Sequence, residues 1–115
     1  MTAQEEKLAA LIGFATKAGR VLFGCEQCVS GVRKQKKNGV QLLLCSADAS
    51  ANTKKRVYDC AAFYRVAVQT LPFSSEALAQ MTGKAHPIAV IAITDSGFAA
   101  AIEGRCEPSD MTTNP

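Results

Sequence analysis

At 115 residues, 48% of them hydrophobic and 20% charged, the chain has the composition of one globular domain, which excludes a wholly disordered polymer. Its longest apolar run, Ile88 to Ile93, is far short of the roughly 18 residues of a membrane span, and the acidic start Met1-Thr-Ala-Gln-Glu-Glu6 is unlike a secretory signal. The net charge is only +3, and five irregularly spaced cysteines fit a reducing cytosol better than a disulfide framework.

Leu8, Leu11, Ile12 and Ala15 follow the i, i+3, i+4, i+7 spacing, which predicts an amphipathic helix over 4–18, ending before Gly19. Arg20 to Phe23 is a short β-prone run. Cys25, Cys28, Val29 and Val32 repeat the helical spacing, so a second helix is expected over 25–37, stopped by Asn38-Gly39. Val40 to Cys45 is continuously apolar, the mark of a strand covered on both faces. Ser50 caps a third helix with Val57, Cys60, Ala61 and Tyr64 as its buried stripe and with Lys55 and Asp59 outside. A third strand runs from Arg65 to Thr70. Ser74 then caps a short helix over 75–81 that Gly83 ends, Pro87 introduces a strand from Ile88 to Ile93, and Asp95 caps a last helix through Ile102. Residues 104–115 lack apolar periodicity and are expected to form a mobile tail behind a single domain, 1–103. The alternation α-β-α-β-α-β-α-β-α predicts an α/β protein with a mixed, mostly parallel four-stranded sheet between helices.

The charge is unevenly spread. Residues 1–65 hold eleven Lys/Arg against five Asp/Glu, a balance of +6, whereas 66–115 carry −3. The cations concentrate in Arg33-Lys-Gln-Lys-Lys37 and Lys54-Lys-Arg56. Signals for catalysis are weak. The single His86 has no triad context, and Gly19 and Gly24 have a phosphate-loop spacing but Cys25-Glu26 stand where Lys-Ser/Thr is needed. Cys25-Glu-Gln-Cys28 is a lone CxxC whose cysteines share the apolar stripe, which favours buried helix cysteines over redox or zinc chemistry. On the second helix Glu26, Ser30, Arg33 and Lys37 share one exposed stripe, flanked by Gln27 and Lys34. That face reads either as a solvated polar surface or as a phosphate-binding one, since Gly24 lets another backbone approach the free first-turn amides.

Ala18-Gly-Arg-Val-Leu-Phe-Gly24, the helix ending in the basic run, Leu42-Leu-Leu-Cys-Ser-Ala-Asp-Ala-Ser-Ala-Asn-Thr-Lys-Lys55, Ser75-Glu-Ala-Leu-Ala-Gln-Met-Thr-Gly-Lys84 and Thr94-Asp-Ser-Gly-Phe98 together resemble the YlxQ-like bacterial branch of the kink-turn-binding ribosomal protein family. That family includes the archaeal large-subunit protein seven-Ae and the eukaryotic large-subunit protein thirty. The resemblance spans about residues 5–102. It implies a three-layer α/β/α sandwich and a non-enzymatic, cytoplasmic RNA-binding protein. The implied setting is the ribosome or translation, within a ribonucleoprotein. It also implies that structured RNA, ribosomal RNA included, meets Gly24 to Lys34 and Gly83 to Pro87, with no cofactor, no metal, no membrane and no small-molecule substrate, by a monomer.

Carried over residue by residue, Gly24 matches the family glycine, Arg20 and Lys34 fall at positions that are often basic, and Gly83 matches the second loop with Lys84, Ala85 and His86 at its tip. Cys25 and Lys37 lie on the same helix and complete the expected surface. Kink-turn-binding members use Asn-Glu and a Lys three positions after the Glu; here Glu26, Gln27 and Ser30 stand there. Weak recognition of a generic kink-turn is therefore expected. The alternative is a protein-interaction module on the same fold that has lost RNA binding: one continuous positive face of Arg20, Lys34, Lys37 and Lys84 near Gly24 favours RNA, and an exposed apolar patch in that place favours the protein partner.

Overall fold

The structure, a computed structural model, describes residues 2–34 and 39–106. Nine elements follow one another: α1 (Ala3–Lys17), β1 (Val21–Phe23), α2 (Cys25–Lys34), β2 (Leu42–Cys45), α3 (Ala51–Tyr64), β3 (Ala67–Thr70), α4 (Ser75–Thr82), β4 (Val90–Ile93) and α5 (Ser96–Glu103). Local chemistry sets most boundaries. The Ser50, Ser74 and Asp95 side chains accept the N–H of Thr53, Ala77 and Phe98, each tying down one orphan donor of a helix start. Gly83 ends α4 at φ +74, a left-handed cap that glycine adopts without strain.

The sheet order is β1-β4-β2-β3. It is mixed, as expected, but only the β2–β3 ladder is parallel; β4 pairs antiparallel with both β1 and β2. Three strands do share one direction, yet β4 runs against them between β1 and β2, so the parallel share is smaller than the alternation suggested. The cause lies in the segment before β4. The Ile88 N–H donates to the Ser75 carbonyl at 3.0 Å, so the α4 unit closes on itself and returns the chain to the sheet end it left. Leu71 and Val90 both lie beside Cys45 at that end, and β4 can only run back from there.

The pleat divides the core into two layers. Leu42 and Leu44 of β2 and Ile91 and Ile93 of β4 face α1, α4 and α5, where they meet Leu8, Ile12, Leu78 and Ile102. Leu43, Cys45, Val90 and Ala92 face α2 and α3, where they meet Cys28, Val32, Val57 and Ala61. Both central strands are buried throughout, which accounts for their unbroken apolar sequences. Cys60 and Tyr64, expected in the buried stripe of α3, are half-buried at its margin.

One carboxylate ties the exit of β2 to the start of α4. Asp48, just after β2, accepts the Ser46 hydroxyl at 2.8 Å and the Ser75 N–H at 2.9 Å, the latter at the start of α4. The Ser46 bond first, then the Ser75 N–H, keeps the Asp48 carboxyl below its ordinary pKa. At the C-terminus, residues 104–106 stay on the body: the Gln4 side-chain amide donates to the Arg105 carbonyl at 3.1 Å, and Cys106 packs on the first core layer. The rest of the expected tail, 107–115, and residues 35–38 with Lys37 lie outside the described residues.

Candidate nucleic-acid interface

The carboxyl ends of β1, β2 and β3 share one end of the sheet, together with the starts of α2 and α3 and the loop before β4. Open α/β sheets place ligands at such an end, where helix N-termini converge. Gly24 is the hinge of this region. Its N–H is held by the Val90 carbonyl at 2.9 Å and its carbonyl accepts the Cys28 N–H at 3.0 Å. Its φ of +91 is one L side chains rarely adopt, and a Cβ there would meet nothing within 4 Å. The position therefore combines a backbone demand for glycine with open space for a visiting backbone. Lacking a side chain, Gly24 does not cap α2, and among the described residues no acceptor meets the N–H groups of Cys25, Glu26 and Gln27. A ten-residue helix with such a start presents partial positive charge to solvent.

Across from this helix start stands the second predicted region. Phe23, Gly24 and residues 84–89 line one open depression of about 320 Å³. The Lys84 ammonium sits 4.2 Å from the centre of the Phe23 ring, so a cation–π contact joins the loop to the end of β1. Ala85 and His86 are exposed at the loop tip.

The expected residues thus separate into two sets. Gly24, Cys25, Glu26, Gln27, Gly83, Lys84, Ala85 and His86 gather at this end. Arg20 does not: it precedes β1 and lies beside Thr94, roughly 13 Å along the strand from Gly24. Lys34 ends α2, roughly 15 Å from Gly24 along the helix, with Ser30 exposed in between. Among the described residues, Arg20, Lys34 and Lys84 do not form one compact patch; Lys84 is at the depression, while Lys34 ends α2.

Two contributors are absent from the expected set. One is Phe23. The other is Arg56 of α3, whose guanidinium meets both oxygens of Glu26, with Nη2 to Oε1 at 3.1 Å. The Arg56 hydrogen bond, reinforced by its charge, lowers the Glu26 pKa. Glu26 is therefore not a bare anion at the helix tip but half of a bidentate pair. Lys54-Lys-Arg56 was visible in the sequence as a basic run; its partner thirty residues earlier was not.

The two cysteines of the CxxC differ in burial: Cys25, at the exposed start of α2, is half-buried and not buried as expected, whereas Cys28 lies in the core. The Cys28 thiol is buried, donates to the Leu22 carbonyl at 3.6 Å, and is pushed up to about 12 chiefly by burial. A thiol with that pKa stays protonated near neutrality and is a poor nucleophile. Among the described residues, no three His, Cys, Asp or Glu side chains gather in a way that holds a metal ion, and no helix is long and apolar enough to cross a membrane.

Comparison with known proteins agrees with this architecture. Residues 6–103 match the model of the ribosomal protein L7Ae/L30e/S12e/Gadd45 family. The chain is 38% identical over 94 residues to the RNA-binding protein YlxQ of Enterococcus faecium, covering 82% of this chain and 85% of the relative. It is 34% identical over 89 residues to the RNA-binding protein YlxQ of Bacillus subtilis (strain 168), covering 77% and 84%. Among solved structures, a protein of unknown function from Bacillus halodurans C superposes with a TM-score of 0.78 at 31% identity, over 86% of this chain and 95% of that one. The Giardia lamblia 15.5kD RNA binding protein superposes with a TM-score of 0.72 at 18% identity, over 92% and 89%, a likeness of fold. The chain belongs to the ribosomal protein L7Ae/L30e/S12e/Gadd45 family, in its YlxQ-like bacterial branch.

Proposed function

We propose that this chain is a non-enzymatic RNA-binding protein that holds structured RNA at the end of the sheet where α2 begins, as part of a translation-linked ribonucleoprotein. The observation that carries the reading is the meeting of an uncapped helix N-terminus with Lys84 around one open depression. Three free amides suit phosphate oxygens, and Lys84, over the Phe23 ring beside Gly24, adds a full charge. Two YlxQ relatives carry RNA binding in their names, which supports the same class. The domain that binds is residues 1–103, acting as a monomer. Kink-turn selectivity is weak, because Glu26 is tied to Arg56 and Ser30 is too short to reach a phosphate or a base edge as a lysine would.

A phosphate-dominated interface responds steeply to salt. With three to four phosphates neutralised, log Kd against log salt has a slope of roughly 3, so raising salt from about 50 to about 200 mM weakens binding of a structured RNA roughly fiftyfold. Fluorescence anisotropy across that range measures it. Binding indifferent to salt contradicts the reading.

A further inference from the structure

We propose that the groove between α2 and α3 is a second RNA-contact site that takes one unpaired base, stacked on Phe63 with its phosphate at Arg33. The proposal rests on the RNA-binding reading above and extends it beyond the helix tip. The two helices run side by side in the same direction, Glu26 meeting Arg56 at one end and Arg33 sharing the groove with Phe63 and Tyr64 at the other. The groove encloses about 450 Å³, with Val29 and Cys60 in its apolar floor. Phe63 is 79% exposed, more than any other large hydrophobic side chain among the described residues. Its ring stands edge-on to Tyr64, at 4.9 Å between centres and 78° between planes, a contact that leaves most of it in solvent.

Charge selects the occupant. Arg56 and Asp59 also line the groove, and both are paired: Asp59 with Lys55 at 2.8 Å, Arg56 with Glu26. Arg33 lines the groove and makes no ion pair among the described residues; its charge reaches Glu26 only at longer range. A purely apolar protein segment would cover Arg33 without pairing it, at a desolvation cost. A nucleotide offers what both groups lack, a π-face for Phe63 and an anion for Arg33. The groove also continues from the proposed site: Arg33 lies roughly 10 Å along α2 from Glu26 at the tip.

The test uses the full chain and two RNA probes, a blunt hairpin and the same hairpin carrying a six-adenosine single-stranded extension at either end. The extension tightens wild-type binding roughly tenfold, the effect of one base stacked on an aromatic ring. Phe63→Ala and Arg33→Ala each remove that advantage, Phe63→Trp keeps it, and Phe63→Ala binds the blunt hairpin like wild type. Phe63→Leu separates stacking from mere apolar contact, and it loses the advantage. If the blunt hairpin binds and the extension adds nothing, or if Phe63→Leu keeps the full gain, the groove proposal is overturned while RNA binding at the tip stands. A wild-type dimer that Phe63→Ala converts to monomer in sedimentation velocity assigns the groove to a second copy and also overturns it. Failure of wild type to bind either hairpin overturns the RNA reading and this proposal together.

Discussion

Reversing the charge at Lys34 and Lys84 together weakens binding of structured RNA by about a hundredfold at low salt. Lys84 stands over Phe23 in the depression, and Lys34 ends α2 roughly 15 Å along the helix from Gly24, so the pair marks both ends of the proposed phosphate track. Each reversal removes one charge-assisted contact and adds a repulsion, together worth about 1.4 kcal/mol or tenfold per site. The two sites are far enough apart for their effects to add. Both side chains are exposed, so the fold survives, and circular dichroism with thermal unfolding checks that. The order of the single variants is informative. Lys84→Glu weakens binding more than Lys34→Glu, because Lys84 shares its depression with Gly24, where α2 begins. Unchanged affinity in the double variant removes both α2 and the loop from the interface.

Restoring the kink-turn-reading residues has the opposite effect. The triple variant Glu26→Asn, Gln27→Glu and Ser30→Lys tightens binding of a generic kink-turn about tenfold or more, since each well-placed base contact contributes roughly 1–3 kcal/mol. Part of the gain is unspecific: the new lysine adds charge, and loss of the Glu26 carboxylate frees the Arg56 guanidinium that it holds. A straight duplex of equal length measures that part. The prediction concerns the ratio of kinked to straight affinity, which rises in the triple variant. A wild type that already prefers the kinked RNA at nanomolar affinity shows that Glu26, Gln27 and Ser30 read it by another geometry.

Features decided within a few residues were legible in the sequence. Ser50, Ser74 and Asp95 announce helix starts because a cap acts on the amide three residues on, and Gly83 announces a stop because its left-handed backbone closes the helix preceding it. The buried strands Leu42–Cys45 and Val90–Ile93 were legible because burial on both faces leaves no polar alternation. Pairing was not legible. Nothing local in Val90–Ile93 says that it enters between β1 and β2 against their direction; that follows from the connection through α4, which re-enters the sheet beside Cys45.

The candidate site divides along the same line. Gly24 and the tip of α2 were readable from the glycine and the helix that follows it, and the second loop entered through family resemblance. That Lys84 lies over Phe23, sixty-one residues earlier, is a product of the β1–β4 ladder, which no spacing along the chain encodes. Arg56 is the sharper lesson. The sequence displays Glu26 as an anion at a helix start, hostile to phosphate, whereas the fold supplies the guanidinium that neutralises it. Conversely, Arg20 entered through family resemblance, as a basic position in the strand before Gly24, and that extended strand sets it most of the height of the sheet away.

The most direct measurement is a ¹H–¹⁵N titration of the isotopically labelled full chain with a structured RNA hairpin, read amide by amide. The account predicts shifts concentrated at Phe23 to Gln27 and at Gly83 to Ala89, extending along α2 toward Lys34 and leaving α1 and α5 still. Shifts confined to α1 and α5, around the exposed Phe14, with the amides of Gly24 to Gln27 unmoved, would contradict it.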